Sequence, residues 1–231
     1  NALHDEWSGL LALVRRHEFD VFYEHRNSEK NVLEVGLGNG VFTRFLSEHF
    51  QEVFAVDAST KAIELVQEEL KDRENIRFVQ AFVEDLQLEK PVDNVVLSHV
   101  LEHLDDPIHA LKQLKGVIHE KTTVYLSVPN ANSLHRQVAV KMGLLDKVNA
   151  LNVTDKKLGH KRVYSPTLFR EHVQKAGFKI ERFGGSLLKP LTNKQIQDTW
   201  DERMIMGFIS LGNDYPELCG DIYIIARMEV P

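Results

Sequence analysis

The segment Val32-Leu-Glu-Val-Gly-Leu-Gly-Asn-Gly40, followed by Phe54-Ala-Val-Asp57, limits the possible folds more than any other stretch. It reads as a buried strand, a glycine turn opening a helix, and a second strand ending in a carboxylate. Such a unit holds an adenosine-bearing cofactor at the carboxyl ends of parallel strands. The glycine spacing narrows the choice of cofactor. Gly36, Gly38 and Gly40 give G-x-G-x-G. The dinucleotide fingerprint asks for a small residue at the next position, which is Val41 here. Glu34, two residues before the turn, would repel a pyrophosphate and suits a cationic amino group.

The same rhythm continues along the chain. Strands are expected at 31–36, 52–57, 76–81, 93–98 and 122–128. Helices fall between them at 40–49, 60–73 and 107–118, with Ser59 as an N-cap and Pro107 in a first turn. Short β-branched strands between amphipathic helices predict an α/β fold with a doubly wound, parallel sheet. After Pro129 the pattern changes. A helix is expected around 133–143, another at 166–176 closed by Gly177, then a strand at 178–187, a helical stretch at 192–212 and a last strand at 221–228. Residues 3–27 read as helical. The two interruptions read either as a substrate lid or as structural padding.

The segment Leu33–Gly40 closely resembles motif I of class I S-adenosylmethionine (SAM)-dependent methyltransferases. Leu97-Ser-His-Val-Leu-Glu-His-Leu-Asp-Asp-Pro107 is similar to the motif after the fourth strand of that family, particularly the branch of ubiquinone-biosynthesis O-methyltransferases. The resemblance covers about residues 30–190. It implies a seven-stranded, mostly parallel sheet of order 3-2-1-4-5-7-6, with strand 7 antiparallel and helical lid insertions after strands 5 and 6. One domain would span 1–231, with 1–29 an N-terminal helical cap and 130–163 and 190–219 substrate-side insertions.

The implied cofactor is SAM, with S-adenosylhomocysteine as product. Glu34, Gly36, Leu37 and Gly38 would line its methionine part, and Asp57 would accept from both ribose hydroxyls. Asp57 also reads as a capping acid for the next helix. Ala58 would face the adenine. Many relatives carry Asp at the position of Phe82. Phe82 either packs on the purine, with the Val83 amide or Glu84 reading its edge, or belongs to the core. By the same analogy the Ser98 backbone and His99 lie beside the methionine and sulfonium.

SAM carries its own activation, so the chain must align a nucleophile with the methyl group and, for a hydroxyl acceptor, remove a proton. Alignment of this kind lowers a barrier by roughly 7–11 kcal/mol, and a general base adds about 10²- to 10⁴-fold. His103, His160 and His99 are the candidate bases, because imidazole titrates near neutrality. Asn130, His135, Arg162 and Tyr164 are the candidate substrate contacts; Tyr164 fits lid packing equally well. Trp200, Met204, Met206 and Phe208 form a stripe that suits either core or a substrate wall. The N-terminal helix, with Trp7, Phe19, Phe22 and Tyr23, suits a cofactor cover, a dimer face or, least well, a membrane contact.

His99-Val-Leu-Glu102-His103 also matches the inverted zinc-protease pattern H-x-x-E-H, which needs both histidines on one helical face. Its position after a buried strand and a SAM-type turn argues against that reading. The chain has 11 histidines, which makes a chance match easy. No compact Asp/Asp/Asn cluster is visible, so no metal is expected. The expected activity is methyl transfer to a small molecule, by preference to a hydroxyl oxygen. N-, C- or carboxyl transfer to a metabolite or peptide, and non-catalytic SAM binding, remain as alternatives.

Composition excludes other classes. A formal charge of −6 over 231 residues argues against non-specific nucleic-acid binding. The single Cys219 excludes an internal disulfide and suits a reducing cytoplasm. No apolar run approaches the ~20 residues of a membrane span, and Leu10–Val14 is too short for a signal peptide. The expectation is a cytoplasmic protein with a small-molecule acceptor, no nucleic-acid partner, no stable membrane insertion and a possible homodimer.

Overall fold

A computed structural model describes residues 9–229. The chain runs α1 (Leu10–Glu24), β1 (Asn31–Val35), α2 (Val41–His49), β2 (Glu52–Asp57), α3 (Thr60–Glu69), β3 (Ile76–Gln80), β4 (Val92–Ser98), α4 (Pro107–Gln113) and β5 (Ile118–Pro129). It continues with α5 (Leu134–Lys141), α6 (Val153–Lys157), α7 (Pro166–Lys175), β6 (Phe178–Ser186), α8 (Asn193–Thr199), α9 (Glu202–Leu211) and β7 (Asp221–Met228). The seven strands form one sheet in the order β3-β2-β1-β4-β5-β7-β6. The pairs β1–β2, β1–β4, β2–β3 and β4–β5 are parallel, and β7 runs antiparallel to both β5 and β6. This is the sheet implied by the sequence resemblance.

Both faces of the sheet are covered, which explains why the central strands read as continuous apolar runs. Alternate residues Leu33, Val95, Leu97, Val124 and Leu126 pack with Leu111 of α4 and with Phe169 and Val173 of α7. Their neighbours Val32, Val53, Val96, Tyr125 and Tyr223 pack with Phe19 and Phe22 of α1 and with Phe42 and Leu46 of α2. Each such side chain, fully buried, contributes roughly 1.5–3 kcal/mol. α1 is thereby anchored as a layer of the fold by its aromatic face. Trp7 and the start of the expected 3–27 helix lie outside the described residues.

Several boundaries shift, each for a local reason. α3 ends at Glu69, where the Leu70 N–H closes on Val66 and a turn follows, short of the expected 73. α4 ends at Gln113 and passes through a 3₁₀ turn into β5, which starts at Ile118 by pairing with Val92. The expected 192–212 helix is two helices. The Asp201 side chain accepts from Met204 N–H and starts α9 afresh after an extended Trp200. Trp200 stacks on Phe208 at 4.4 Å between ring centroids, and both pack with Leu10, Val14, Ile196 and Ile205. Both are half-buried against that cluster, whereas Met204 and Met206 are exposed. No helix among the described residues is long and apolar enough to cross a membrane.

Candidate active site

A cavity of about 740 Å³ opens at the carboxyl ends of β1, β2 and β4, the crevice where open α/β sheets bind ligands. β1 delivers Glu34 and Val35 to it, and the turn into α2 delivers Gly36, Leu37, Gly38 and Asn39. Gly36 holds φ +81°, and a Cβ there would come within 2.5 Å of the Val100 side chain. Gly38 holds φ +53° and has nothing within 4 Å of its missing Cβ, so its backbone borders open space. A ligand can approach the main chain closely there.

Asp57, at the end of β2, ties this turn down. Its Oδ2 accepts from Leu37 N–H at 2.9 Å and its Oδ1 from Ser59 N–H at 2.8 Å. Ser59, not Asp57, caps α3 through Ala62 N–H. Each carboxylate oxygen has a second acceptor site, so Asp57 can still receive a pair of hydroxyls. Glu34 is 2% exposed, and its Oε2 has no hydrogen-bond partner. Burial pushes its pKa up to about 8; the Asp57 charge adds to this and Thr43 opposes it. A buried, half-satisfied carboxyl beside open space is the counterpart of a cationic ligand group.

Phe82 is 63% exposed on the cavity wall, so its core alternative is excluded, and Ala58 and the buried Val83 lie beside it. At the other end β4 terminates in Ser98, whose hydroxyl meets Ser127 Oγ at 3.1 Å. His99 follows with φ +58°, a left-handed conformation costly for a side-chain-bearing residue and common at functional sites. Its N–H donates to Ser127 O, which holds the bend. Its ring lies 3.4 Å from Glu102 and 3.7 Å from Asp221. Burial and the Arg15 charge press its pKa down, but Asp221 and Glu102 outweigh them and hold it above the ordinary value.

The stretch 100–103 is a turn closed by His103 N–H on Val100 O. With His99 left-handed, His99 and His103 do not share a helical face, so the protease geometry is absent. His103 instead meets His160 from the segment after β5, edge to face at 4.8 Å between ring centroids. Burial lowers the His103 pKa. All three histidines line the cavity, as do all the expected cofactor positions from Glu34 to His99.

The four expected substrate contacts lie elsewhere, three of them held in hydrogen bonds by the fold. Asn130 is buried, donating to Glu217 O and Cys219 O while its Oδ1 accepts from Asn132 N–H. Tyr164 is buried against Phe169 with its hydroxyl 3.2 Å from His172 Nδ1. Arg162 donates to the carbonyls of Leu101, Leu104 and Asp105, clamping the loop that carries Glu102 and His103. His135 is pressed down to about 3 by burial and by the neighbouring Lys189 and Arg136 cations. None of the four lines the cavity.

The structure adds residues with no signature in the sequence. Leu11 and Arg15 of α1, Leu158, Lys189, Asn193 and Asp221 all face the cavity. Arg15 pairs with the buried Glu18, and Lys189 donates to Asn193 Oδ1. The i, i+3 spacing of Arg15 and Glu18 was visible in the sequence, but it reads as an ordinary surface pair.

A doubly wound α/β sheet with a glycine turn and a carboxylate at the end of the next strand forms the crevice of a nucleoside-cofactor-binding fold. The chain belongs to the methyltransferase-domain family, whose model matches residues 10–182. It is similar to the ubiquinone biosynthesis O-methyltransferase of Nitrosospira multiformis, at 25% identity over 79% of this chain and 77% of that protein. It is also similar to malonyl-[acyl-carrier protein] O-methyltransferase 1 of Ilyobacter polytropus, at 26% identity over 46% of this chain and 42% of that one. The chain thus spans about half of the length of the malonyl-[acyl-carrier protein] relatives it matches. Its fold matches the N-methyltransferase NodS from Bradyrhizobium japonicum in complex with S-adenosyl-L-homocysteine. That match has a TM-score of 0.61 and 12% identity, and covers 98% and 96% of the two chains.

Proposed function

We propose that this protein transfers a methyl group from SAM to an oxygen of a small-molecule acceptor. One observation carries the reading. The glycine turn, Glu34 and Asp57 share a single cavity with His99, Glu102, His103 and His160. Bound SAM supplies a methyl group on a sulfonium, and transfer breaks the C–S bond, its electron pair going to sulfur, as the O–C bond forms.

The residues of the chain do the rest. Glu34 faces the cationic end of the donor, Asp57 takes the ribose hydroxyls, and Ala58, Phe82 and Val83 cover the adenine. Phe82 loses exposed apolar surface when a purine covers it. The rigid bend at His99 sets the direction from which an acceptor approaches, and the imidazole wall receives the hydroxyl proton. The O-methyltransferase names of the relatives support an oxygen acceptor.

A carboxylate acceptor is the second reading, favoured by Arg15 and Lys189 on the same wall. Calorimetric titration with SAM and S-adenosylhomocysteine tests the donor site. An acceptor screen with hydroxylated metabolites, carboxylic acids and amines tests the rest. Turnover confined to amines would overturn the oxygen reading, and donor binding without any turnover would leave a binding protein. A histidine substitution that slows hydroxyl but not carboxylate methylation separates the two oxygen readings.

A further inference from the structure

Lys189 lies on the cavity wall with Asn193 and Asp221. Its side chain is half-buried, and among the described residues its ammonium bonds only to Asn193 Oδ1, at 2.5 Å. No carboxylate of the described residues forms an ion pair with it. A buried ammonium is normally paired, because taking it out of water is costly. Burial presses the Lys189 pKa down; Asp221 opposes this, and the Arg136 and Arg15 charges add to it.

The fold builds a seat for this side chain. The chain leaves β6 through Leu187 at φ +60°, a conformation costly for a residue with a side chain and common at functional sites. Gly220 N–H donates to Leu187 O at 2.9 Å, Leu188 N–H to Phe208 O at 3.1 Å and His135 N–H to Lys189 O at 3.2 Å, which fixes the backbone there. The Lys189 stem then crosses Gly220, where a Cβ would come within 2.6 Å of its Cε and 3.0 Å of its Cδ. The glycine leaves the space that the stem fills. Other charged groups on this wall are engaged: Arg15 pairs with Glu18 at 2.5 Å, and Asp221 stands 3.7 Å from the His99 ring. Asp221 is in register with Pro129 of β5 and Ser186 of β6, so this end of the cavity lies across β4 from the glycine turn.

We propose that Lys189, with Asn193 beside it, binds a carboxylate of the acceptor that is not the group methylated. The acceptor is then a hydroxy acid. An ammonium bonded to a carboxylate draws on the lone pairs that would attack the methyl group, so the anchored group is the handle and the hydroxyl the nucleophile. The Asn193 Oδ1 accepts from Lys189, which leaves its amide NH₂ to donate to the second carboxylate oxygen. A singly charged group matches the one cation without a carboxylate partner, whereas a phosphate dianion would bring a second negative charge toward Asp221. The hydroxyl part of this assignment rests on the oxygen-acceptor reading; carboxylate binding at Lys189 does not.

The test uses wild-type protein saturated with S-adenosylhomocysteine and titrated by calorimetry with benzoate, benzamide and phenyl phosphate. Benzoate should bind at least about tenfold more tightly than its neutral amide, the effect of one charge-assisted hydrogen bond. Lys189→Met keeps a stem over Gly220 without the charge. It should erase that preference and leave S-adenosylhomocysteine affinity within about twofold. For hydroxy acids that turn over in the acceptor screen, it should raise KM at least about tenfold, leave the KM of the matched hydroxy amides unchanged, and the product should be the methyl ether. Equal binding of benzoate and benzamide to wild type overturns the proposal. So do an undiminished preference in Lys189→Met, tighter binding of phenyl phosphate, and a methyl ester as product. Loss of S-adenosylhomocysteine affinity in Lys189→Met would assign the ammonium to the donor and overturn it as well. Wild type that fails to bind S-adenosylhomocysteine overturns the donor reading, and the benzoate titration of that protein still decides the anion site.

Discussion

The backbone N–H of Leu37 donates to Asp57 Oδ2 at 2.9 Å, joining the glycine turn after β1 to the end of β2. One carboxylate thereby shapes the turn and keeps further acceptor sites beside the cavity, where the proposed function places a ribose. Asp57→Ala should weaken SAM binding by about 30-fold or more, the effect of losing ~2 kcal/mol of charge-assisted hydrogen bonding. Asp57→Asn should fall between. Calorimetric titration of folded variants measures this, and an Asp57→Ala protein with unchanged affinity would remove Asp57 from the donor site.

Gly36 and Gly38 should respond differently to alanine. At Gly36 the new Cβ meets the Val100 side chain at 2.5 Å on a left-handed backbone. The clash and strain together should cost on the order of 2–3 kcal/mol in thermal or denaturant unfolding. At Gly38 nothing lies within 4 Å, so Gly38→Ala should cost only ~1 kcal/mol of stability. Its methyl group nevertheless projects into the cavity, so SAM affinity should fall at least tenfold. Equal stability losses in the two variants would contradict this account.

The raised Glu34 pKa gives SAM binding a pH dependence of definite sign. In the free protein burial holds the Glu34 carboxyl at about 8, so it is mostly protonated at neutral pH. A cationic ligand group favours the ionised form, so binding releases a proton. Affinity should rise with pH toward 8, approaching tenfold per pH unit well below it, and level off above. Stability of the ligand-free protein runs the other way. With a folded pKa above the unfolded value, the contribution of Glu34 is full below about 4.5 and is lost as pH rises through about 8. Glu34→Gln should flatten both profiles. The enthalpy of SAM binding in buffers of different ionisation heat reports the proton directly.

Arg162 should behave as a positioning residue. It does not line the cavity, yet its guanidinium holds three carbonyls around Glu102 and His103. Arg162→Ala should lower kcat by an order of magnitude or more while leaving SAM affinity within about threefold. Arg162→Lys should not rescue it, because an ammonium lacks the planar fork that reaches several acceptors. Turnover and SAM titration on the same preparations distinguish this from general unfolding, which would take both down together.

The cavity residues from Glu34 to His99 were legible in the sequence because they come from contiguous strand, turn and strand-end positions. Glu34, Gly36, Gly38, Asp57 and His99 all reach the cavity from such positions, and the glycine spacing reports a backbone conformation directly. The rest of the cavity depends on which loops meet. Asn130, Arg162 and Tyr164 carry the functional groups that a substrate contact needs. The same groups serve equally well to satisfy partners inside the fold, and here Asn130 and Arg162 bond backbone carbonyls while the Tyr164 hydroxyl meets His172 Nδ1. The residues that do face the cavity, such as Arg15, Lys189 and Asp221, sit at unremarkable positions in a helix, after a strand and at a strand start. Only the packing of α1 over the sheet and the antiparallel return of β7 bring them to it. His160 joins Glu102 and His103 because Arg162 and Lys161 dock one loop on another. The local pattern of the chain thus determined the sheet and its cofactor crevice. Long-range side-chain pairing decided the rest of the cavity wall, because burial and partners there come from segments far apart in the chain.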